Sequence, residues 1–489
     1  MANWLDQLIG AISPKAAFQR EAYRQAKRAF EAASPADPWR PKRGGASANT
    51  DVAADEHTLR IKARWLRDNV GFIGRGLGQR IDYAIGTGVV RKWGGPHAKK
   101  LTEAWAQHVK ECDADDKLNM GGIEALSVHT MDVDGMVLLR IRTRRPEDGL
   151  MVPLQYQVLE VDWIDTQRTA PSNSANRVIN GIEYSPIGKT VGYWLFDEHP
   201  GDVGSGWRTP AMNSRLVPAE SIIPLYDVSR PGAGRGVTRL KSVITAVRDL
   251  HNYRQAEMLR KDTEARLGII ASGDLSQMAA PPSAGGSSAG VGFLGDIPAG
   301  GIFQAPPGLN LTSVQPTAMP GYVDAIKMEI KLIAAAGGWT YEGCTGDMTE
   351  VNYSSARIRR LDFRAEIERL QWLTIDHMLC ERMDRAFVAH CKLAGIIPPS
   401  ATWSCEHTYP RWPHVDPVKD VAGEVMEIAA GLSTISAGNR SRGNDPEKVA
   451  QEWAADMKRL GPDGLNVLAT MLFMLKGKEP ADGAGKDLP

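Results

Sequence analysis

Hydrophobic and polar positions change period several times along this chain of 489 residues. VLLRIRTRR (Val137–Arg145) and LQYQVLEVDWIDT (Leu154–Thr166) alternate every second residue, as strands with one wet face do. GIEYSPIGKTVGYWLF (Gly181–Phe196) reads as two strands joined by a Pro/Gly turn, and Ile123–Met131 reads as helix. Residues 122–230 therefore predict a mixed α+β domain. At Val237 helical spacing takes over. No Gly or Pro interrupts the chain up to Leu267, and Leu240, Val243, Ile244, Val247 and Leu250 form an apolar stripe. A second helix, YVDAIKMEIKLIAAA, follows Pro320 and stops at Gly337-Gly338. Val323, Ile326, Ile330 and Ile333 make one stripe on it, and Asp324, Lys327 and Lys331 a polar one beside it. From Ser354 to Ala394 there is again no Gly or Pro, which as one helix spans about 60 Å at 1.5 Å per residue. Gly395 and Pro398-Pro399 end it.

The remaining stretches are read from composition. Residues 1–33 look helical and moderately basic, with Trp4, Leu5, Leu8, Ile9 and Ile12 on one face. The N-terminus lacks the basic start and long apolar core of a signal peptide. Residues 34–51 form a Pro/Gly/Ser linker, and 55–85 a helix with a glycine-rich interruption. The stretch from Ser272 to Gly301 is low-complexity and reads as a mobile loop. Beyond residue 415, two helices flank a Gly/Asn/Ser turn, and the tail ADGAGKDLP reads as disordered.

Charge narrows the function classes. Lys plus Arg and Asp plus Glu both total 58, so the formal net charge is zero. A surface that grips nucleic acid everywhere is excluded, whereas local basic strips are not. Five cysteines without CxxC spacing read as reduced thiols rather than a zinc site. No run approaches the roughly 18 apolar residues of a membrane span.

Candidate chemistry is sparse. IGKT at Ile187–Thr190 ends like a phosphate-binding loop, but position 183 is Glu where that loop needs glycine, and the stretch lies in a hairpin. GFIGRGLGQR (Gly71–Arg80) lacks dinucleotide-binding spacing and reads as close helix packing or a kink. MDVDGM (Met131–Met136) is too short for a calcium loop and reads as a turn. His199 stands beside Asp197, Glu198 and Asp202, in what the Pro-Gly step marks as an exposed loop. Ser354 and Ser355 lack the elbow of a serine nucleophile and read as helix caps. Arg357, Arg359, Arg360 and Arg364 follow, either a strip that meets phosphate or a solvated face balanced by Glu366 and Glu368. No catalytic, cofactor-binding or metal-ligating residue is assigned.

The order of elements resembles the lambda-type family of tailed-phage portal proteins over about residues 15–460. The stretches that carry it are LRIKARWLRDNVGFIGRGLGQRIDYAIGTGV, VLEVDWIDT, NGIEYSPIGKTVGYWLFDEHPGD, VPAESIIPLYDVSRPGAGRGVTRLKSVITAVRDLHNYRQAEM and DPVKDVAGEVMEIAAGLSTIS. The most specific is TGDMTEVNYSSARIRRLDFR, similar to the family's GD-x(3–4)-NYSSAR segment. The resemblance implies an α+β, mainly helical portal fold with wing, stem, clip and crown, assembled as a ring of typically twelve subunits at one capsid vertex. It implies as partners double-stranded DNA in the channel, the terminase large subunit, head–tail connector proteins and the major capsid protein, with no membrane and no cofactor. The location it implies is the virion, and the host cytoplasm during assembly. By order, 1–51 is the N-terminal helix and linker, 52–236 the wing, 237–267 the first stem helix, and 268–320 the clip. Then 321–336 is the second stem helix, 337–353 the tunnel loop, 354–397 the long wing helix and 398–489 the crown-like end. Candidate channel residues are Asp324, Lys327, Lys331, Thr345, Asp347, Asn352, Tyr353, Arg357 and Arg360. Zero net charge suits passage better than grip, since each phosphate contact adds affinity and drag. Two rival readings are a monomeric DNA-binding adaptor of the head–tail junction, using the Arg357–Arg364 strip, and a nucleic-acid-linked enzyme.

Overall fold

In the computed structural model, residues 46–202, 213–265, 268–273, 309–314, 321–349, 353–410, 412, 417–442, 444 and 446–476 are described. The helix expected over 1–33, most of the low-complexity loop, Asn352 and the C-terminal tail lie outside them. Two compact units divide the chain, residues 1–51 and 52–489, and the fold below is that of the second.

Two helices come first, α1 (Ala48–Asn69) and α2 (Gly71–Ala84), separated at Val70, whose backbone is extended. α1 begins inside the stretch read as linker. β1 (Val90–Gly94), α3 (Ala98–Glu111) and α4 (Met120–Asp134) follow. Asn119 caps α4 by accepting from Gly122 N–H, and Gly135 ends it at φ +91°. MDVDGM is thus the last turn of α4 and its glycine cap rather than a free turn. The strands are β2 (Met136–Thr143), β3 (Leu154–Glu160), β4 (Arg177–Ile179), β5 (Ile182–Tyr184), β6 (Thr190–Phe196), β7 (Ser214–Pro218) and β8 (Ile222–Tyr226). They form two antiparallel sheets, ordered β3-β2-β8 and β4-β5-β6-β7. The hairpin expected around Pro186 is β5–β6. The stretch expected as strand through Thr166 ends at Glu160, where a 3-10 turn, Val161–Trp163, replaces it.

The first predicted stem helix opens differently from the expectation. Thr238 caps a 3-10 turn at Arg239–Ser242, and α5 runs only from Ile244 to Ala265. A two-stranded antiparallel ladder follows, β9 (Gly268–Gly273) with β10 (Leu309–Val314). Next come α6 (Tyr322–Gly337), α7 (Tyr341–Thr345) and α8 (Tyr353–Leu370). The latter continues without a break into a π-helical stretch, Gln371–Cys380, and α9 (Glu381–Leu393). The long Gly- and Pro-free run is therefore helical throughout, but not uniformly α. β11 (Ser404–Thr408) pairs with β1, across more than three hundred residues of sequence. Among the described residues, three helices rather than two follow β11: α10 (Pro417–Ala429), α11 (Ile435–Ser441) and α12 (Pro446–Lys476), the last broken at Gly461. The fold is α+β and mainly helical.

β2 shows how period two serves two cores. Val137 and Leu139 point into a large core with Tyr156, Ile123, Phe363 and Phe387. Met136 and Leu138 point the other way, into the core shared with β5, β6 and β7. A third core joins α1, α2, α5 and α6 through Leu66, Ile73, Leu77, Val247, Leu250, Ile333 and Trp339. The stripe expected on α5 is buried there at Leu240, Val243, Val247 and Leu250, whereas Val323, expected on the apolar stripe of α6, is 60% exposed. Contacts between α5 and α6 run in opposite directions along the two helices. Val247 and Leu250 share the core with Ile333 and Ala334, while Tyr253 and Lys261 meet Tyr322 at 5.6 and 5.5 Å. The helices are antiparallel.

Candidate functional site between α6 and α8

The segment joining α6 to α8 is built on the end of α6. Gly338 adopts φ +75° and returns its N–H to Ala334 O at 3.0 Å. A half-buried and a buried cation take the free carbonyls of this end: Arg239 Nε donates to Gly337 O at 2.8 Å and Arg80 Nη1 to Gly338 O at 3.2 Å. Both arginines also reach Glu366 of α8, and Arg80 Nε donates to Asp132 at 3.0 Å. Trp339 then plugs the third core, lying so close to α2 that a Cβ on Gly76 would stand 2.5 Å from its indole. The glycine-rich stretch of α2 is thus close helix packing, as its composition suggests.

Beyond this anchor the chain makes a single turn of helix. Thr340 caps α7 by accepting from Gly343 N–H at 3.0 Å, and Gln79 of α2 holds Thr340 from both sides. Thr345 Oγ1 donates to Tyr341 O at 2.7 Å, and Gly346 turns the chain at φ +78°. Asp347 closes the turn. It accepts from Thr349 N–H at 3.0 Å, Thr349 Oγ1 at 2.7 Å and Tyr341 Oη at 3.0 Å. Lys327 Nζ of α6 lies 3.8 Å from the same carboxylate, and Lys331 Nζ lies 5.4 Å over the Tyr341 ring. The two Thr349 bonds, then the Tyr341 hydroxyl and Lys327, hold the Asp347 carboxyl down to about 2. Burial and the bond to Asp347 push the Tyr341 phenol up.

Four of the nine residues singled out in the sequence are therefore brought together: Lys327, Lys331, Thr345 and Asp347. Asp324 stands apart, exposed in the first turn of α6. Arg357 is exposed and reaches Asp420 of α10 at 3.8 Å. Arg360 lines a 310 Å³ cleft with Arg75, Gln79 and Met348, while Arg359 pairs with Glu342 of α7. Tyr353 is the first residue of α8, and Asn352 lies outside the described residues. Ser354 and Ser355 consequently sit within the first turn of α8 and not at its cap, a correction to the sequence reading. Sequence reasoning missed Tyr341, Thr349 and Glu342. Only the spacing of Tyr341 from Lys331 and Asp347 hints at their meeting, and spacing across a glycine turn carries no signal.

Two clusters have the donor types of metal sites, but both are ion networks. At Asp384, Cys405 and His407, the histidine is bonded through both nitrogens, Nδ1 to Asp376 at 2.6 Å and Nε2 to Asp384 at 2.7 Å. Burial opposes its charge, yet these carboxylates prevail and hold the imidazole up to about 11. At Glu160, Asp162 and His199, Arg64 Nη2 already bridges the carboxylates at 2.9 and 2.7 Å. The partners of His199 there are not the neighbouring acids of its own loop.

Comparison with known proteins gives these features a family. The pattern of the family described as phage portal protein, lambda family, matches residues 34–371. Over 444 residues the chain is 25% identical to the probable portal protein of Halomonas phage phiHAP-1, covering 86% of this chain and 84% of that one. It is 24% identical over 328 residues to the portal protein of Escherichia phage N15, covering 58% and 59%. Among solved structures, it resembles a chain from the neck of a native GTA particle computed with C12 symmetry (TM-score 0.46, 15% identity, 80% of this chain and 94% of that). It also resembles an HK97 family phage portal protein from Corynebacterium diphtheriae (TM-score 0.33, 11% identity, 77% and 99%). With the family pattern spanning well over half of the sequence, the chain belongs to the lambda family of phage portal proteins.

Proposed function

We propose that this portal protein assembles as a ring of twelve copies at one capsid vertex and passes double-stranded DNA inward during packaging and outward during ejection. In this reading the antiparallel pair α5 and α6 is the stem, and residues 268–320 are the clip on which the terminase large subunit, and later head–tail connector proteins, dock. The wing is 52–236, the tunnel loop is 337–353, and the helical run from 354 to 397 leads toward the crown-like end at 398–489. The major capsid protein surrounds the ring. The role is mechanical, without catalysis, in the virion and, during assembly, in the host cytoplasm.

The observation that carries this reading is the coupling of α6 to the loop after it. Lys327 and Lys331 meet Asp347 and Tyr341, so cations that could hold a phosphate already have partners in the same chain. A lining of this kind exchanges contacts without accumulating them, which favours sliding over grip. Both stem helices also expose large apolar side chains, Met258 on α5 and Met328 and Leu332 on α6, as expected of helices that neighbouring subunits cover.

Native mass spectrometry with negative-stain images of the same sample tests the ring. A dodecamer with a central hole is the expected result. A monomer whose salt-dependent binding to duplex DNA is abolished by Arg357→Gln/Arg360→Gln would replace this reading with that of an adaptor. For the lining itself, Lys327→Ala with Lys331→Ala should slow DNA packaging; unchanged packaging would remove these residues from the channel.

A further inference from the structure

A row of arginines continues the strand β2 outward. By strand alternation, positions 136, 138, 140, 142 and 144 share one face. Met136 and Leu138 are buried at its inner end. Arg140, Arg142 and Arg144 follow, each half-buried, the last just beyond β2, where its N–H still bonds Pro153 O at 3.0 Å. Glutamines face them from β3, with Gln157 opposite Arg140 and Gln155 opposite Arg142. Arg142 Nε donates to Gln157 Oε1 at 3.0 Å and Arg144 Nε to Gln155 Oε1 at 2.7 Å. The amide of Gln155 is itself held by donating to Glu111 O at 2.8 Å. Two of the guanidinium groups are therefore oriented by neutral partners through Nε, and among the described residues their Nη groups form no hydrogen bond.

The charges in this row are not balanced. Among the described residues none of the three arginines forms an ion pair, and the nearby Arg215 of β7 is paired with Asp197 at 2.8 Å. Burial, then the neighbouring arginines, lower the proton affinity of Arg140 and Arg142, the mark of like charges held together. Alternate residues of a strand advance about 6.8 Å, twice the roughly 3.4 Å of axis per phosphate on one DNA strand. Forked guanidinium groups and side-chain amides are common partners of phosphate oxygens. A fixed spacing of cations with neutral amides between them suits a regular polyanion better than an irregular acidic protein surface.

We propose that the β2–β3 face is a DNA-contact surface that binds the phosphate backbone of duplex DNA, separate from the segment 321–353 and independent of ring formation. The full-length protein and its Arg140→Gln/Arg142→Gln/Arg144→Gln variant would be titrated onto a random-sequence duplex of about 30 bp by fluorescence anisotropy. With three phosphate contacts at a slope of about 0.9 each, the unsubstituted protein should lose about 40-fold more affinity than the variant between 50 and 200 mM salt. Arg385→Gln, at an exposed arginine of α9 already paired with Glu381, should leave that difference unchanged. Because the triple variant could fold poorly, Gln155→Glu/Gln157→Glu provides a second measurement. It places carboxylates against the arginines from the facing strand, at the loss of the Gln155 bond to Glu111 O, and should weaken DNA binding in a protein that circular dichroism shows to be folded. Identical salt slopes for the unsubstituted protein and both variants of this face would overturn the proposal. So would competition by poly-glutamate as effective as that by duplex DNA at equal charge, which would assign the face to an acidic protein partner.

Discussion

Two ionic networks in this portal protein use the same kinds of side chain for opposite ends. In the large core, Arg91 bonds Glu124 and Asp384 at 2.7 Å each, and Asp384 passes the contact to His407, Asp376 and Tyr409. The side chains of Arg91, Glu124 and Asp384 are fully enclosed. Between α6 and α8, Lys327 and Asp347 stand 3.8 Å apart, each about a quarter exposed. Water decides the difference. A dry pair can be broken only by stranding a charge, so it locks geometry. A wet pair is screened and exchangeable, so it sets a resting position that a phosphate or a neighbour can displace.

The comparison can be broken hardest at Arg91. Replacing it with Met leaves Glu124 buried without a counter-charge and Asp384 with His407 alone, and should cost about 3–5 kcal/mol in urea unfolding. The packing beside the loop gives the next effect, and its sign reverses between neighbours. Gly76→Ala places a methyl against the Trp339 indole and should lose about 1–3 kcal/mol. Gly78→Ala, with open space around it, should gain up to about 1 kcal/mol by helix propensity.

Acidity separates the networks further. The raised His407 contributes stability that is complete below its unfolded value of about 6.5, and that is lost as pH rises through about 11. His407→Asn should flatten stability over that alkaline window. The depressed Asp347 works in the other direction. Its contribution is present above an unfolded value of about 3.9 and is lost as pH falls through about 2. The smallest effect is expected from Asp347→Asn at neutral pH, which should speed hydrogen exchange at Thr349 and leave the global melting temperature in place. Raising salt to about 1 M should loosen the same amide in the unsubstituted protein, where the Debye length falls to about 3 Å, without touching the Arg91 network.

Local patterns were legible in the sequence, and distant pairings were not. The alternation of VLLRIRTRR marks β2, and the stripe from Leu240 to Leu250 marks the buried face leading into α5. The glycines before Arg80 announce the contact with Trp339. By contrast, Gln371–Cys380 carries no residue that distinguishes π from α winding. Its geometry is tied to tertiary bonds, with Gln371 donating to Tyr83 O and Ala84 O and accepting from Tyr409 Oη. SCEHT has no strand signature of its own and becomes β11 through its pairing with β1. At the candidate site, the lysines of α6 stood out because helical spacing grouped them, whereas Tyr341 and Thr349 depend on how a glycine turn folds back.

The pairing of β1 with β11 also sets a timetable for synthesis. Val90–Gly94 leave the ribosome long before Ser404–Thr408 are made. At about 5–20 residues per second, that interval is roughly 15–60 s. During it β1 is an open edge and the core around Trp93 lacks Phe387, so a nascent chain exposes a sticky, incomplete core. The brevity of β1 and its adjacent Arg91 and Lys92 blunt that edge. The two parts of this core therefore meet only when synthesis of the chain is nearly finished.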